Sequence, residues 1–225
     1  MASIAIILGK SGAGKSTSIK NLNPDETVVI NPLQKRLPFK GSASLYNKEK
    51  YNLINVDSYV DVISWLNKIG NGSKIKTIII DDAIYVMRKE YFKRAKETGY
   101  GKYTELAQHF QQIIQTCEGL RDDLNVFFML HSEDVQSDKT ITGYKVSTIG
   151  NLIDQQYNPV EVVPMVLYAS IKYDDKGNAS YGFYTHRCME GTVEIPAKSP
   201  DGMFEEDFIP NDLALVIKAM NEYYN

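Results

Sequence analysis

The stretch that decides the fold is GKSGAGKST, residues 9–17, which follows the apolar run SIAIIL at residues 3–8. A short run that is apolar throughout predicts a buried strand. The letters of the stretch fit the spacing G-x-x-x-x-G-K-[ST], and residues 15–22 predict a short helix behind it. Strand, glycine-rich loop and helix, in this order, are the context that a phosphate-binding loop requires.

The loop has the residue types that a nucleoside triphosphate and its magnesium ion need. Glycines allow the backbone to wrap tightly with its N–H groups pointing inward, and the start of the helix adds partial positive charge. Lys15 is predicted to reach the β- and γ-phosphates, and the Ser16 hydroxyl is predicted to ligate Mg²⁺. The predicted phosphate-binding residues are Gly9, Lys10, Ser11, Gly12, Ala13, Gly14, Lys15, Ser16 and Thr17.

A second motif, TIIIDD at residues 77–82, predicts a buried strand that ends on two carboxylates. Asp81 is predicted to hold the magnesium ion, and Asp82 is predicted to polarise the attacking water. The alternative for Asp82 is a helix N-cap. A third strand, FFML, ends at His131, and its expected place is between the first strand and the TIIIDD strand. In P-loop ATPases with such an extra strand, a polar residue at this place senses the γ-phosphate. His131 is therefore predicted to hydrogen-bond the phosphate or the attacking water, at the carboxyl end of a strand where parallel sheets bind ligands. The alternative is a structural histidine or an ordinary loop start.

Apolar strands alternate with helices as far as His131, which predicts an α/β fold with a mostly parallel sheet flanked by helices. The predicted strands cover residues 3–8, 27–30, 53–56, 77–80 and 126–130, and the predicted helices cover residues 15–22, 58–69, 84–96 and 104–121. Later strands, joined by turns, predict an antiparallel extension over residues 165–173, 179–187 and 193–195. A last helix is predicted over residues 211–223, with Asn211 as its cap.

Composition limits the class of protein. The 225 residues are 43% hydrophobic and 24% charged, as in an ordinary globular chain. The net charge of -3 excludes a strong overall attraction to nucleic acid or to an anionic membrane, so any polyanion site must be a local patch. Two cysteines far apart in sequence indicate a reducing compartment. With no signal peptide and no apolar stretch near the roughly 20 residues of a membrane span, the chain is predicted to be cytoplasmic.

Two classes of P-loop protein are disfavoured. A GTPase should have an N-K-x-D motif after a strand, and neither Asn47-Lys48 nor Asn67-Lys68 is followed by the required Asp. A nucleotide kinase usually has an arginine-rich lid, whereas Arg121 and Arg187 are isolated arginines in the second half. The sequence therefore favours ATP with Mg²⁺ and leaves a small-molecule kinase as an alternative.

Five stretches together resemble phage-encoded P-loop ATPases of the RecA-like kind, a group that includes phage nucleotide-binding proteins and single-strand annealing or recombination proteins. These stretches are GKSGAGKST, NPLQKRLPFKG, TIIIDDAIYVM, FFMLHSED and AKSPDGMFEEDFIP. The resemblance covers residues 3–222 and implies one RecA-like domain over residues 1–225, with a core at 1–160 and an antiparallel extension and final helix at 161–225. It also implies ATP hydrolysis, binding of single-stranded DNA, assembly into a ring or filament, and a place in the host cytoplasm.

One departure from RecA concerns the catalytic carboxylate. RecA has a glutamate after its second core strand, whereas here the TVVI strand is followed by Asn31-Pro32. Asp82 is therefore the remaining candidate for the base. A slow hydrolase that uses ATP mainly as an assembly switch is also compatible with the sequence.

RecA-like assemblies place ATP between subunits, where a basic residue of the neighbour stabilises charge in the transition state. The resemblance favours Lys198 for this role, and Arg187 is the second candidate. The alternative for both is a solvated surface charge.

Two segments are candidates for contact with DNA. Residues 88–103 contain six basic residues against two acidic ones, with tyrosine and phenylalanine between them, as sequence-tolerant binding of single strands requires. Residues 133–148 are predicted to form a mobile loop. The candidate DNA-binding residues are Arg88, Lys89, Lys93, Arg94, Lys96, Lys102, Lys139 and Lys145. The alternatives are a solvated helix for the first segment and an ordinary hairpin or loop for the second.

The first hypothesis is thus an ATPase of DNA recombination or single-strand annealing that works as a homo-oligomer. The second is a kinase of small molecules or nucleotides, and the third is a nucleotide-gated assembly ATPase without a DNA role.

Overall fold

The computed structural model describes residues 1–72, 74–149 and 157–224 of the chain. Its first half contains β1 (Ser3–Gly9), a 3-10 helix (Ser16–Asn21), β2 (Thr27–Ile30), α1 (Ser42–Leu45), β3 (Leu53–Ile54), α2 (Tyr59–Gly70), β4 (Thr77–Ile80), α3 (Ile84–Lys93), α4 (Gly101–Glu118) and β5 (Asn125–Ser137). Its second half contains β6 (Thr140–Val146), α5 (Pro159–Val162), β7 (Met165–Tyr173), β8 (Ala179–Tyr184), β9 (Cys188–Glu190), β10 (Val193–Ile195), β11 (Phe208–Pro210) and α6 (Leu213–Tyr224).

One sheet connects eleven strands of the described residues, and its main path runs β11-β8-β7-β1-β5-β4-β2-β3. The neighbours from β7 to β3 along this path pair in parallel. At the other end β8 pairs antiparallel with β7, and β11 pairs antiparallel with β8. This confirms the predicted α/β fold, a mostly parallel sheet flanked by helices with antiparallel strands toward the C-terminus.

The strand that ends at His131 lies between the two motif strands. β5 pairs with β1 on one side and with β4 on the other, and His131 lies opposite Gly9 in the register. The carboxyl ends of β1, β4 and β5 therefore meet at one edge of the sheet. The phosphate loop and the two aspartates begin directly after β1 and β4, and His131 of β5 lies beside them.

Apolar side chains cover both faces of the sheet. Successive residues of a strand point to opposite faces, so Ile6 and Ile7 belong to different apolar clusters. The cluster of Ile6 contains the buried stripes of α2, α3 and α4, such as Leu66 of α2. The cluster of Ile7 contains Ile19 of the 3-10 helix and residues of α6. Because the sheet is buried on both faces, ligands can approach its strands at their ends.

The second DNA-binding candidate, residues 133–148, is mostly a hairpin rather than the predicted mobile loop. β5 continues to Ser137 and returns as β6, paired antiparallel from Ser132 opposite Val146 onward. Asp138 and Lys139 between the strands both have positive φ, of 49° and 66°. Two successive residues of this kind form the tight turn that matches the twist of a hairpin.

Several element boundaries differ from those predicted. The predicted helix over residues 15–22 is a 3-10 helix. The strand predicted over residues 53–56 is β3, which ends at Ile54. The helix after the two aspartates ends at Lys93, and the long amphipathic helix runs over Gly101–Glu118. Among the described helices, none is both long enough and apolar enough to cross a bilayer.

Candidate active site

The phosphate loop requires glycine for two reasons, its backbone conformation and the close approach of other parts of the chain. Gly12 and Gly14 have φ of 82° and 90°, in the region that side chains disfavour. A Cβ on Gly14 would lie 2.1 Å from Nδ2 of Asn211, and a Cβ on Gly9 would lie 2.7 Å from the carbonyl oxygen of Ala169. The loop is therefore fitted closely against β7 and the segment before α6.

Lys15 is folded back over the loop. Its Nζ donates hydrogen bonds to the carbonyl oxygens of Gly9 at 2.7 Å and Lys10 at 2.9 Å. Burial lowers the pKa of Lys15 to about 8, and the nearby carboxylates of Asp82 and Asp81 oppose that shift. The ammonium group is thus held where phosphate oxygens can replace the two carbonyls.

Ser16 and Asp81 contact each other directly, as their predicted shared role requires. The Ser16 Oγ donates to Oδ1 of Asp81 at 2.7 Å. Asp81 is fully buried, and its Oδ2 has no hydrogen-bond partner in the part of the chain that the structure describes. Burial, with the neighbouring charge of Asp82, raises the pKa of Asp81.

This pair fits a magnesium ion. An orphaned carboxylate oxygen next to a hydroxyl provides hard oxygen ligands, and Mg²⁺ characteristically uses one or two protein oxygens together with substrate phosphates and water. Among residues 1–72, 74–149 and 157–224, no group of three His, Cys, Asp or Glu side chains could hold a metal ion. The contact between Ser16 and Asp81, with the orphaned Oδ2, makes these the residues that would hold magnesium with the phosphates.

Asp82 is buried between two basic side chains. Its carboxylate accepts from Nε2 of His131 at 2.7 Å and from the Nζ of Lys35. Burial favours the neutral acid, but the hydrogen bonds from His131 and Lys35 outweigh it and lower the pKa of Asp82 to about 2. The N-cap residue of α3 is Ala83, and no side chain caps this helix. Asp82 is thus a fixed carboxylate at the sheet edge.

A cavity of about 780 Å³ lies above the loop, and its lining does not include the predicted residues Gly9, Lys10, Ala13 and Asp81. The predicted residues in its lining are Ser11, Gly12, Gly14, Lys15, Ser16, Thr17, Asp82 and His131. Residues that the sequence did not point to also line it, namely Lys20, Asn21, Lys35, Pro38, Tyr181, Pro210, Asn211 and Asp212. For Lys35 there was one signal, its position just after the carboxyl end of β2, where parallel sheets bind ligands.

The segment before α6 closes one side of the cavity. Asn211 Nδ2 donates to the carbonyl oxygen of Gly14 at 2.9 Å, and Asn21 Nδ2 donates to Oδ2 of Asp212 at 2.6 Å. The cap of α6 is Asp212, whose Oδ1 accepts from the Ala214 backbone N–H at 2.9 Å, instead of the predicted Asn211. Asn211 instead connects this segment to the phosphate loop.

Lys10 points away from the loop toward the hairpin of β5 and β6. Its Nζ lies 2.8 Å from Oδ1 of Asp134 and 4.9 Å from the ring centre of Tyr144. Both partners belong to the hairpin. The phosphate loop and the hairpin are therefore in direct contact through this residue.

The two candidates for a role in a neighbouring subunit lie elsewhere. Lys198 pairs through its backbone with Val166 near the start of β7. Arg187 is exposed and forms an ion pair with Glu194 at 2.7 Å. Neither lines the cavity that the described residues form, so a role in trans stays a prediction for both.

Most basic side chains of the DNA-binding candidates have partners within the chain. Arg88 donates to Oγ of Ser147, and Lys89 and Lys93 both form ion pairs with Asp57. The remaining pairs join Arg94 to Glu90, Glu97 and Glu105, Lys102 to the Glu97 carbonyl, and Lys145 to Glu133. Lys96 and Lys139 are exposed and have no such partner among the described residues. DNA binding by these segments stays a prediction.

Comparison with known proteins gives a match to a family profile and matches among solved structures. The profile of the AAA_24 family, described as an AAA domain, matches residues 2–199. No curated protein matches the chain significantly. Among solved structures, an ATPase from the type III secretion system of pathogenic bacteria is similar at a TM-score of 0.47 and 9% identity, covering 77% of this chain and 51% of that ATPase. The chain thus spans about half the length of that protein, and so distant a likeness carries no argument.

Proposed function

The chain belongs to the AAA domain family of P-loop ATPases, and on this premise we propose that it binds Mg-ATP and hydrolyses the bond to the γ-phosphate. One observation carries this proposal. A single cavity is lined by the lysine of the phosphate loop, Ser16 and the Asp82–His131 pair, and Ser16 is hydrogen-bonded to the buried Asp81. These are the groups that phosphoryl transfer to water needs.

Binding begins at the loop. The backbone N–H groups around Gly12 and Gly14 surround the phosphates, and the Lys15 ammonium exchanges its two carbonyl partners for phosphate oxygens. Ser16 and Asp81 would hold the magnesium ion, which would supply neutralisation of phosphate charge. The missing guanine-reading motif supports adenine as the base.

Hydrolysis requires a water aligned with the γ-phosphorus. Asp82 accepts a hydrogen bond from this water and takes its proton as the water oxygen bonds to phosphorus. The bond between phosphorus and the β,γ-bridging oxygen breaks, and its electron pair remains on ADP. His131 donates to Asp82 and so fixes the direction of the carboxylate. His131 is predicted to sense the γ-phosphate. Its hydrogen bond to Asp82 adds a second role, in which the histidine orients the carboxylate that takes the proton.

The test is steady-state ATP hydrolysis by the wild-type chain and by Lys15→Ala, Asp81→Asn and Asp82→Asn. Each substitution is expected to lower turnover by about a hundredfold or more, because each removes charge stabilisation or positioning of the water. Lys48→Ala is the matched control, since Lys48 is an exposed lysine outside the cavity. Turnover that survives in Lys15→Ala at the wild-type rate contradicts the proposal.

We also propose, as the finer function, that the ATPase is of the RecA-like phage type and acts on single-stranded DNA in recombination or annealing as a homo-oligomer. The observation that favours DNA is the exposure of two aromatic side chains in a segment that also carries an exposed lysine. Phe92 and Tyr100 are 71% and 77% exposed, and exposed Lys96 lies between them in sequence. Rings of this kind stack on bases, and lysine neutralises phosphate.

DNA binding is tested with a fluorescent poly-dT oligonucleotide. The double variant Phe92→Ala/Tyr100→Ala is expected to bind about tenfold more weakly or worse, because each stacked base contributes about 1–3 kcal/mol. Tyr173→Ala removes a similarly exposed ring from the end of β7 and serves as the control. Affinity that is equal in all three proteins removes this surface from the DNA site.

Stimulation of hydrolysis by the same oligonucleotide separates the alternatives. A rise of about tenfold, with assembly into rings or filaments in sedimentation, supports the recombination function. Transfer of phosphate to an added small molecule supports a kinase instead. Nucleotide-dependent assembly without an effect of DNA supports an assembly ATPase.

A further inference from the structure

We propose that Lys35 binds the γ-phosphate of ATP from within the same chain, and that it gives up its ion pair with Asp82 when it does so. The inference rests on the proposed Mg-ATP site and deepens it, because it assigns a residue that distinguishes ATP from ADP. Lys35 is neither part of the phosphate loop nor of the TIIIDD motif.

The backbone holds Lys35 at the cavity. The buried Asn31, directly after β2, donates through its Nδ2 to the Lys35 carbonyl oxygen at 2.8 Å and to Oδ1 of Asn55 at 3.0 Å. Gln34 has a φ of 58° and donates its N–H to the Asn31 carbonyl oxygen, which forms a turn just before the lysine. The buried Leu37 anchors the chain on the other side. The lysine therefore extends from a fixed base.

The two members of the ion pair differ in freedom. The side chain of Asp82 is 2% exposed and that of Lys35 is 41% exposed. Asp82 also has a second partner, His131, that keeps its carboxylate in place. Lys35 is thus the partner that can move, since its ammonium group is already partly in solvent and its flexible stem extends from the cavity wall.

Charge favours the exchange. Lys15 and Lys35 line the same cavity, and Lys35 is close enough to Lys15 to disfavour the charge of its ammonium group. A γ-phosphate between them provides more negative charge than the single Asp82 carboxylate does, and a lysine forms strong charge-assisted hydrogen bonds to phosphate. ADP leaves this position vacant, so Lys35 stays on Asp82.

The exchange has a consequence for the chemistry. While Lys35 is bound, one oxygen of Asp82 is occupied by the lysine and the other by His131. When the Lys35 ammonium group moves to the γ-phosphate, the first oxygen of Asp82 becomes free to accept a hydrogen bond from the attacking water. No proton moves in this exchange; the water proton passes to Asp82 as the new bond to phosphorus forms, and Lys35 remains beside the departing phosphate.

The experiment compares the affinities of the full chain for AMP-PNP and for ADP, with magnesium, by competition against a fluorescent ADP. Lys35→Ala is expected to weaken AMP-PNP binding by about tenfold or more, the loss of one charged hydrogen bond, and to change ADP binding less than about twofold. Lys35→Arg should retain the preference for AMP-PNP. Arg36→Ala, which removes the neighbouring exposed cation, should change neither affinity.

Each other outcome contradicts the inference in a recognisable way. Equal losses for AMP-PNP and ADP assign Lys35 a structural role, and unchanged affinities exclude a contact with the γ-phosphate. If the wild-type chain binds neither nucleotide, the proposed function itself fails. Lys35→Gln and Lys35→Met keep the length of the side chain, so they give the same comparison if Lys35→Ala lowers the thermal stability of the chain.

Discussion

Lys15 shows how burial of a single residue makes nucleotide affinity depend on pH. Its pKa is lowered to about 8 by burial, and a bound polyphosphate favours the charged ammonium group. Above pH 8 a growing fraction of the free protein must therefore take up a proton to bind. We expect the affinity for ADP, measured without magnesium, to fall by up to about tenfold per pH unit from pH 8 upward.

The control is Lys15→Arg, whose guanidinium group stays charged over this range. Its affinity is expected to be weaker but flat between pH 8 and about 10. A wild-type affinity that is equally flat would show that the free lysine is fully charged throughout.

Gly14 allows backbone strain to be separated from a steric clash. Gly14→Ala places a Cβ 2.1 Å from Nδ2 of Asn211, whereas at Gly12 no described atom lies within 4 Å of the added Cβ, although φ is positive at both glycines. We expect Gly14→Ala to weaken nucleotide binding more than Gly12→Ala. Adding Asn211→Ala should restore part of the loss in Gly14→Ala and none in Gly12→Ala, as measured by fluorescent nucleotide titration.

At the scale of elements, α2 depends on the residue that caps its start, Ser58. The Ser58 Oγ accepts from the backbone N–H of Asp61 at 3.1 Å and donates to Oδ2 of Asp61 at 2.6 Å. Ser58→Ala should lower the free energy of unfolding by about 1 kcal/mol, since it leaves an N–H group at the helix start unpaired. Urea unfolding measures this loss. Ser58→Thr, which keeps both the acceptor and the donor at the cap, should stay near wild type if capping is the cause.

The elements that were predictable are those whose pattern is local. The apolar runs TVVI and TIII are buried strands with the predicted bounds, because a strand covered on both faces needs no alternation. The outer half of β5 was missed because residues 133–137 are half-buried or exposed and all but Val135 are polar, and its turn uses Asp138 and Lys139 without glycine. A strand of this kind is recognisable through its partner β6 more than through its own letters.

The same limit applies to the site. The phosphate loop and the two aspartates have fixed spacings along the chain, so their positions could be read from the sequence. The position of Lys35 after β2 was one signal, but its contact with Asp82 and the contact of Asn211 with Gly14 could not be predicted, because they join residues 47 and 197 positions apart. Such contacts depend on the order of strands in the sheet, which no local pattern determines.

For the whole molecule, Asp81 lowers the stability of the fold although the proposed function needs it. Its buried Oδ2 is without a hydrogen-bond partner among the described residues. We expect Asp81→Asn to raise the free energy of unfolding at pH 7 by roughly 1 kcal/mol or more while it abolishes magnesium-dependent hydrolysis, because a buried charge is replaced by a neutral amide.

The effect should depend on pH with a definite sign. Burial raises the pKa of Asp81 above 3.8, so the stability of the wild type is highest with Asp81 protonated and falls as pH rises through the raised pKa. The gap between Asp81→Asn and the wild type should therefore be widest at neutral pH and close toward pH 4. Asp25→Asn, at an exposed aspartate, should show no such gap. A gap of the opposite sign would mean that the carboxylate stabilises the fold.

The position of β1 in the middle of the sheet bears on how the protein is made. The ribosome releases this apolar strand and its phosphate loop long before β5 and β7, the two strands that flank β1. The loop is completed later still, when Asn211 reaches Gly14 across 197 residues. Throughout most of translation the nascent chain therefore carries an apolar strand without its partner strands and a pocket that lacks Asn211. The complete pocket can therefore bind nucleotide only after the segment with Asn211 has been synthesised.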